Sequence, residues 1–309
     1  MTMRGPFGDA YGGDSTLPLP VADLSSGPAS GPVTAGIGRA GADTVIPGRG
    51  YRPGGYGRPV RRARRHWARR LLRWVVVTAL VLILLGAVAF GGLMAVTPSA
   101  GHAEELVQAQ DVAHHVAYPG PPVPAQFAAS LVATEDHRFY SEPGIDLYAV
   151  ARVGFGYATG HGIEGGATLY QQLAKLLYTH GQSTAADEAE QVAMAVKLYM
   201  TYSRSQILQM YADVVYFGNN YYGLAAASCG YFGVQPAALS WPQAAMLAGL
   251  VQGPSLDDPL THPGSARARE VHVVGRLVAT GKLTQAQGNA ALAVPMSTLI
   301  AGAGQGCSG

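Results

Sequence analysis

The sequence predicts a mainly α-helical domain carried behind a single N-terminal transmembrane helix. Three observations lead there. Charge is divided unevenly along the chain, one stretch of 23 residues carries none, and apolar side chains beyond it recur at helical spacing. The 309 residues have a net charge of +2, with 48% hydrophobic and 13% charged side chains. Residues 1–73 hold 12 of the 21 Lys and Arg but only 4 of the 19 Asp and Glu. Residues 74–96 hold neither, and residues 97–309 hold 9 basic and 15 acidic side chains. Such a chain reads as a basic tail (1–73), an apolar rod (74–96) and a mildly acidic globular part (97–309). The globular part is long enough to bury one large core. Two cysteines, Cys229 and Cys307, exclude a disulfide-dense scaffold and a multi-cysteine zinc framework.

The elements follow in order. Residues 1–60 contain 14 Gly and 8 Pro, so they bury too little apolar surface to offset their ordering entropy and are expected to be disordered. Residues 61–73, RRARRHWARRLLR, carry seven Arg. A basic run alone could bind nucleic acid. Here it abuts WVVVTALVLILLGAVAFGGLMAV, Trp74–Val96, which as a helix spans roughly 34 Å and can cross a hydrocarbon core of about 30 Å. Arginines on one flank and Glu104, Glu105 and Asp111 beyond the other place the N-terminus in the cytoplasm and residues 97–309 outside. The arginines are then contacts for anionic membrane lipids, and no nucleic acid partner is expected. A cleaved signal peptide ending near Ala103 is the rival, but an h-region is usually only about 7–15 residues, which favours an uncleaved anchor.

In the outer part, Ile207, Leu208, Tyr211, Val214 and Val215 form one helical stripe, and Val192, Ala195, Leu198, Tyr199 and Tyr202 another. Ala244–Val251 is apolar all round and reads as a buried helix. No long alternating stretch argues for a sheet. Nine His are scattered without partners at ligand spacing and read as solvated surface. Cys229 reads as a buried thiol, with pairing to Cys307 or to a partner left open.

Between the stripes lie polar residues that periodicity does not explain. They are ATEDHRFYSEPGID (133–146), EGGATLYQQLAK (164–175), SRSQILQMYADVVYFG (203–218), YGLAAASCGYFG (222–233) and AAMLAGLVQGPSLDDP (244–259). In this order the segments resemble the transglycosylase domain of peptidoglycan glycosyltransferases, as in monofunctional transglycosylases and class A penicillin-binding proteins. The resemblance covers roughly residues 104–285. It implies a lysozyme-like fold on the outer face of the membrane, with lipid II and the growing glycan strand as substrates. It also implies an apolar segment, here 147–160, that dips into lipid. With the chain ending at Gly309, no transpeptidase domain is expected to follow.

The implied reaction joins an acceptor hydroxyl to the anomeric carbon of a donor that leaves its lipid pyrophosphate. A carboxylate must take the hydroxyl proton, and positive charge or a metal must stabilise the pyrophosphate. By resemblance the base is Glu135, with Asp136 orienting local groups. Arg138, Thr168, Gln171, Gln172, Lys175 and Arg204 are the expected substrate contacts. The third family motif departs from pattern: counting twelve residues back from Ser203 places Gln191 where the family has its second catalytic Glu, and Asp187 and Glu188 where it has Arg-Lys. Glu142 stands in the place of a family His. Anions in place of phosphate-holding cations raise two further expectations. A divalent cation could bridge them to the pyrophosphate. Alternatively, the chain is an impaired member that binds lipid II, glycan or other cell-wall synthesis proteins as a scaffold.

Overall fold

A computed structural model of the chain describes residues 60–146 and 166–307, with side chains from Trp67 onward. The Gly- and Pro-rich tail and the apolar stretch 147–160 lie outside the described residues. The chain divides into two compact units at Leu84–Leu85. Among the described residues the protein is helical, and the one β feature is an isolated antiparallel bridge between Tyr216 and Tyr222.

Helix α1, Val60–Val96, starts earlier than the apolar run alone predicts. Arg, Ala and Leu are strong helix formers, so the basic run continues the helix. Within its Trp67–Val96 portion, which is long and apolar enough to cross a membrane, the most apolar 18 residues have a mean hydropathy of 2.6. Leu82, Ile83 and Leu84 are all exposed on it.

The remaining helices are α2 (Ala103–Ala113), α3 (Ala125–Glu135), α4 (Leu169–Leu177), α5 (Ala185–Thr201) and α6 (Arg204–Val214). They continue as α7 (Gly223–Phe232), α8 (Trp241–Leu250), α9 (Pro263–Ala279), α10 (Gln285–Leu292) and α11 (Met296–Leu299). The three predicted stripes fall on α5, α6 and α8. Helix α8 is buried from Ala244 to Leu250 and packs against α3 and α9, as an all-apolar helix must. Helix α4 packs on α5 and α6, and α2 also rests on α6. One apolar cluster runs through all of these, from Val107 and Phe127 to Leu173, Leu198, Tyr211, Leu247 and Leu277.

Five helix starts use the same device, a Ser or Thr N-cap that exchanges hydrogen bonds with the residue three places on. The pairs are Thr168/Gln171, Thr184/Asp187, Ser203/Gln206, Ser240/Gln243 and Thr284/Gln287. Where the chain leaves α1, the Lys197 ammonium donates to Thr97 O, Thr97 Oγ1 and Pro98 O, each at 2.8 Å. The Tyr202 hydroxyl donates to Ala100 O. The end of α5 therefore holds the segment Thr97–Ala100. At the other end of the domain Cys229 and Cys307 form a disulfide, which decides the pairing that sequence left open. It ties the C-terminal segment to α7, where Gly304 N also donates to Gly230 O.

Candidate active site

Glu135 is the last residue of α3, and Asp136 caps it. A carboxylate there faces the negative end of the helix dipole, which disfavours its charge. It is half-buried, and desolvation raises its pKa above the usual carboxylate range. Two groups oppose that rise. The Gln172 amide donates to Glu135 Oε2 at 3.1 Å, and the Arg269 guanidinium acts from α9. Gln172 is itself fixed, since Tyr211 Oη donates to its Oε1 at 2.7 Å and its Nε2 also reaches Ala167 O at 3.3 Å. The result is a carboxylate biased toward holding a proton, but with hydrogen bonding that supports its anion.

The residues around the second motif serve the fold as much as any ligand. Thr168 is the N-cap of α4, accepting from Gln171 N, while Gln171 Oε1 accepts from Thr168 N at 2.9 Å. Asp136 Oδ2 accepts from Leu169 N at 3.0 Å, so Asp136 and Thr168 together satisfy the open start of α4. Gln172, an expected substrate contact, also positions Glu135. Arg138 pairs with Asp146. Arg204 Nε donates to Phe139 O at 3.3 Å, and its guanidinium lies 5.7 Å from the centre of the Tyr199 ring.

Gln191 is buried, 8% exposed. Its Nε2 donates to Thr179 Oγ1 and Gln182 O, both at 2.8 Å. The amide thus ties α5 to the loop after α4. Gln172, which meets Glu135, lies on α4, and Thr179, which meets Gln191, lies in the turn just after it. Lys175 lies between, three residues after Gln172 and on the same face. Asp187 is used up in the Thr184 cap, with Oδ2 accepting from Thr184 N at 2.8 Å and from its Oγ1 at 2.7 Å. Those bonds lower its pKa. Among the described residues no group of three or more His, Cys, Asp or Glu is placed to hold a metal ion.

Three residues near the site escaped sequence reasoning. Tyr211 was read as core, which it is, but its hydroxyl also holds Gln172. Arg269 and Arg276 lie on α9 seven residues apart. Arg276 Nε donates to Ala133 O at 3.0 Å, capping the last turn of α3, and Arg269 Nε donates to Gly249 O at 3.1 Å. The available signal was their position flanking the buried Ala266, Glu270, Val273 and Leu277 face of an amphipathic helix.

The site therefore holds a carboxylate with a raised pKa at a helix end, with the Arg269 charge acting on it, in a helical domain. The Transglycosylase family matches residues 103–278, over half of the chain. The chain belongs to this family, the peptidoglycan transglycosylases. A protein named as a transglycosylase from Cupriavidus necator is 30% identical over 174 residues, which make up 56% of this chain and 75% of that one. Penicillin-binding protein 1A of Neisseria flavescens is 33% identical over 164 residues, 53% of this chain and 21% of that one. Penicillin-binding protein 2a of Streptococcus pneumoniae is 36% identical over 171 residues, 55% and 23% respectively. The chain therefore spans about a fifth to a quarter of these penicillin-binding proteins.

Proposed function

We propose that the protein polymerises lipid II into glycan strands at the outer face of the cytoplasmic membrane, with Glu135 as the base. The observation that carries this reading is the Glu135–Gln172–Tyr211 arrangement, a desolvated carboxylate held at a set position by an amide that is itself held. A base in this state takes a hydroxyl proton more readily than an ordinary exposed Glu. Lys175 and Arg204 are the proposed cations for the donor pyrophosphate. Gln191 maintains the shape of the site through Thr179 and Gln182. A divalent cation on the pyrophosphate would be held mainly through substrate, and added chelator should then weaken substrate binding. Helix α1 is proposed as a single-pass anchor with its N-terminus in the cytoplasm and its arginines at anionic lipids.

The test incubates the purified full chain with lipid II beside Glu135→Gln. Polymer from the wild type that is absent in the variant supports the proposal. Lipid II that binds without polymer in the wild type would overturn it and identify a binding member acting with other cell-wall synthesis proteins.

A further inference from the structure

Glu142 accepts no side-chain hydrogen bond among the described residues. Its side chain is 6% exposed, and neither Oε1 nor Oε2 has a partner. Leaving a buried charged carboxylate in that state would cost several kcal/mol. Beside it lies another acceptor, the Asp136 carboxylate, close enough to share a hydrogen bond. Two carboxylates in such contact are satisfied only when one carries a proton. Asp136 already accepts a hydrogen bond from Leu169 N, so the acceptor role falls to it and the donor role to Glu142. We propose that Glu142 is a positioning residue, a neutral acid that donates to Asp136 and thereby holds the start of α4, and with it Gln172, against Glu135.

The surrounding packing supports this. Arg138, on the same loop, pairs with Asp146, and its charge partly favours the Glu142 anion. From α4, Tyr170 presents a buried hydroxyl that feels Asp136 and Glu142, and also Tyr199 of α5 and Arg204 of α6. The loop cannot retreat to hydrate Glu142. Gly144 has φ +80°, its carbonyl accepts from Thr168 Oγ1 at 2.8 Å, and a Cβ there would lie 2.7 Å from Ala195 O. Burial and Asp136 together push the Glu142 pKa up to about 8. A folded pKa above the unfolded value of 4.5 means that its stability contribution is full below about pH 4.5. It is lost as pH rises toward 8.

The test compares wild type with Glu142→Gln, whose amide is a permanent donor of the same shape. The melting temperature of Glu142→Gln should gain on wild type by several degrees between about pH 5 and pH 8, then run parallel. In hydrogen exchange at matched pH, residues 166–172 should lose protection in wild type above pH 8 but keep it in Glu142→Gln. A melting gap that is constant with pH, or equal exchange in the two proteins, overturns the proposal. If Glu142→Gln fails to fold, the same exchange titration of wild type alone decides, since the loss of protection should centre near pH 8. The positioning role rests on Glu135 being the base, but neither readout uses turnover. Absence of polymer from lipid II would therefore overturn the proposed function without being mistaken for failure of the acid–carboxylate pair.

Discussion

Replacing Gln172 with Leu tests how the site is held. Leucine roughly fills the space but donates and accepts nothing. Three hydrogen bonds disappear: one to Glu135, one to Ala167 O, and one from Tyr211. Ala167 is exposed, so its carbonyl can turn to water. Tyr211 is 1% exposed, so its hydroxyl cannot. An orphaned buried hydroxyl costs about 1–3 kcal/mol, which in a domain of this size lowers the melting temperature by about 2–10 °C. Adding Tyr211→Phe removes the orphan, so the double variant should melt above Gln172→Leu alone. On the chemical side, Glu135 loses the bond that favours its anion. Its pKa should rise further, and the acid limb of polymerisation should move to higher pH. Thermal melting of both variants and a pH profile with lipid II check the two halves. A double variant no more stable than the single one, or an acid limb that stays in place, would refute the reasoning.

Gln191→Glu should lower the melting temperature rather than simply restore a family carboxylate. It aims an acceptor at the Gln182 carbonyl and loses a buried bond, at a cost of about 1–3 kcal/mol. Asp111 and Asp213 form a second buried acidic pair, with pKa values raised to about 7 and about 6 by burial, and for Asp111 also by its neighbour's charge. Their folded values lie above the unfolded 3.8, so the wild type loses stability as pH rises through that window. Asp111→Asn should therefore gain on wild type between about pH 4 and pH 7 in thermal melts. Replacing Cys229 and Cys307 by Ser opens a link across 78 residues, and the chain-entropy account puts the loss at roughly 4 kcal/mol. A melt of the double variant beside reduced wild type measures it.

The helices were legible because their burial has a period. Val192 to Tyr202, Ile207 to Val215 and Ala244 to Val251 each show a face or a whole circumference that must leave water, and each became α5, α6 or α8. Glu135 as the end of α3 could be placed only through the family pattern, since one carboxylate has no period. The roles of its neighbours were less legible. Gln172 meets Glu135 across 37 residues and Tyr211 across 39, contacts that no local spacing encodes. Thr168 and Gln171 did carry a local signal, the Thr-x-x-Gln of a capped helix start, but the resemblance drew attention to ligands instead. Glu142 was recorded as a lost His, and its burial against Asp136 became visible only in three dimensions.

The capped helix starts also bear on acid tolerance. In four of the five, the side chain reaching back to the cap is Gln, an amide that does not titrate. Acid alone does not open those caps. The fifth uses Asp187, whose bonds to Thr184 are those of its anion. Acidification through its lowered pKa therefore loosens one helix end selectively. That end belongs to α5, so as pH falls below the ordinary Asp value of 3.8 fraying should begin a turn from Gln191 while the α4 start beside Glu135 remains closed.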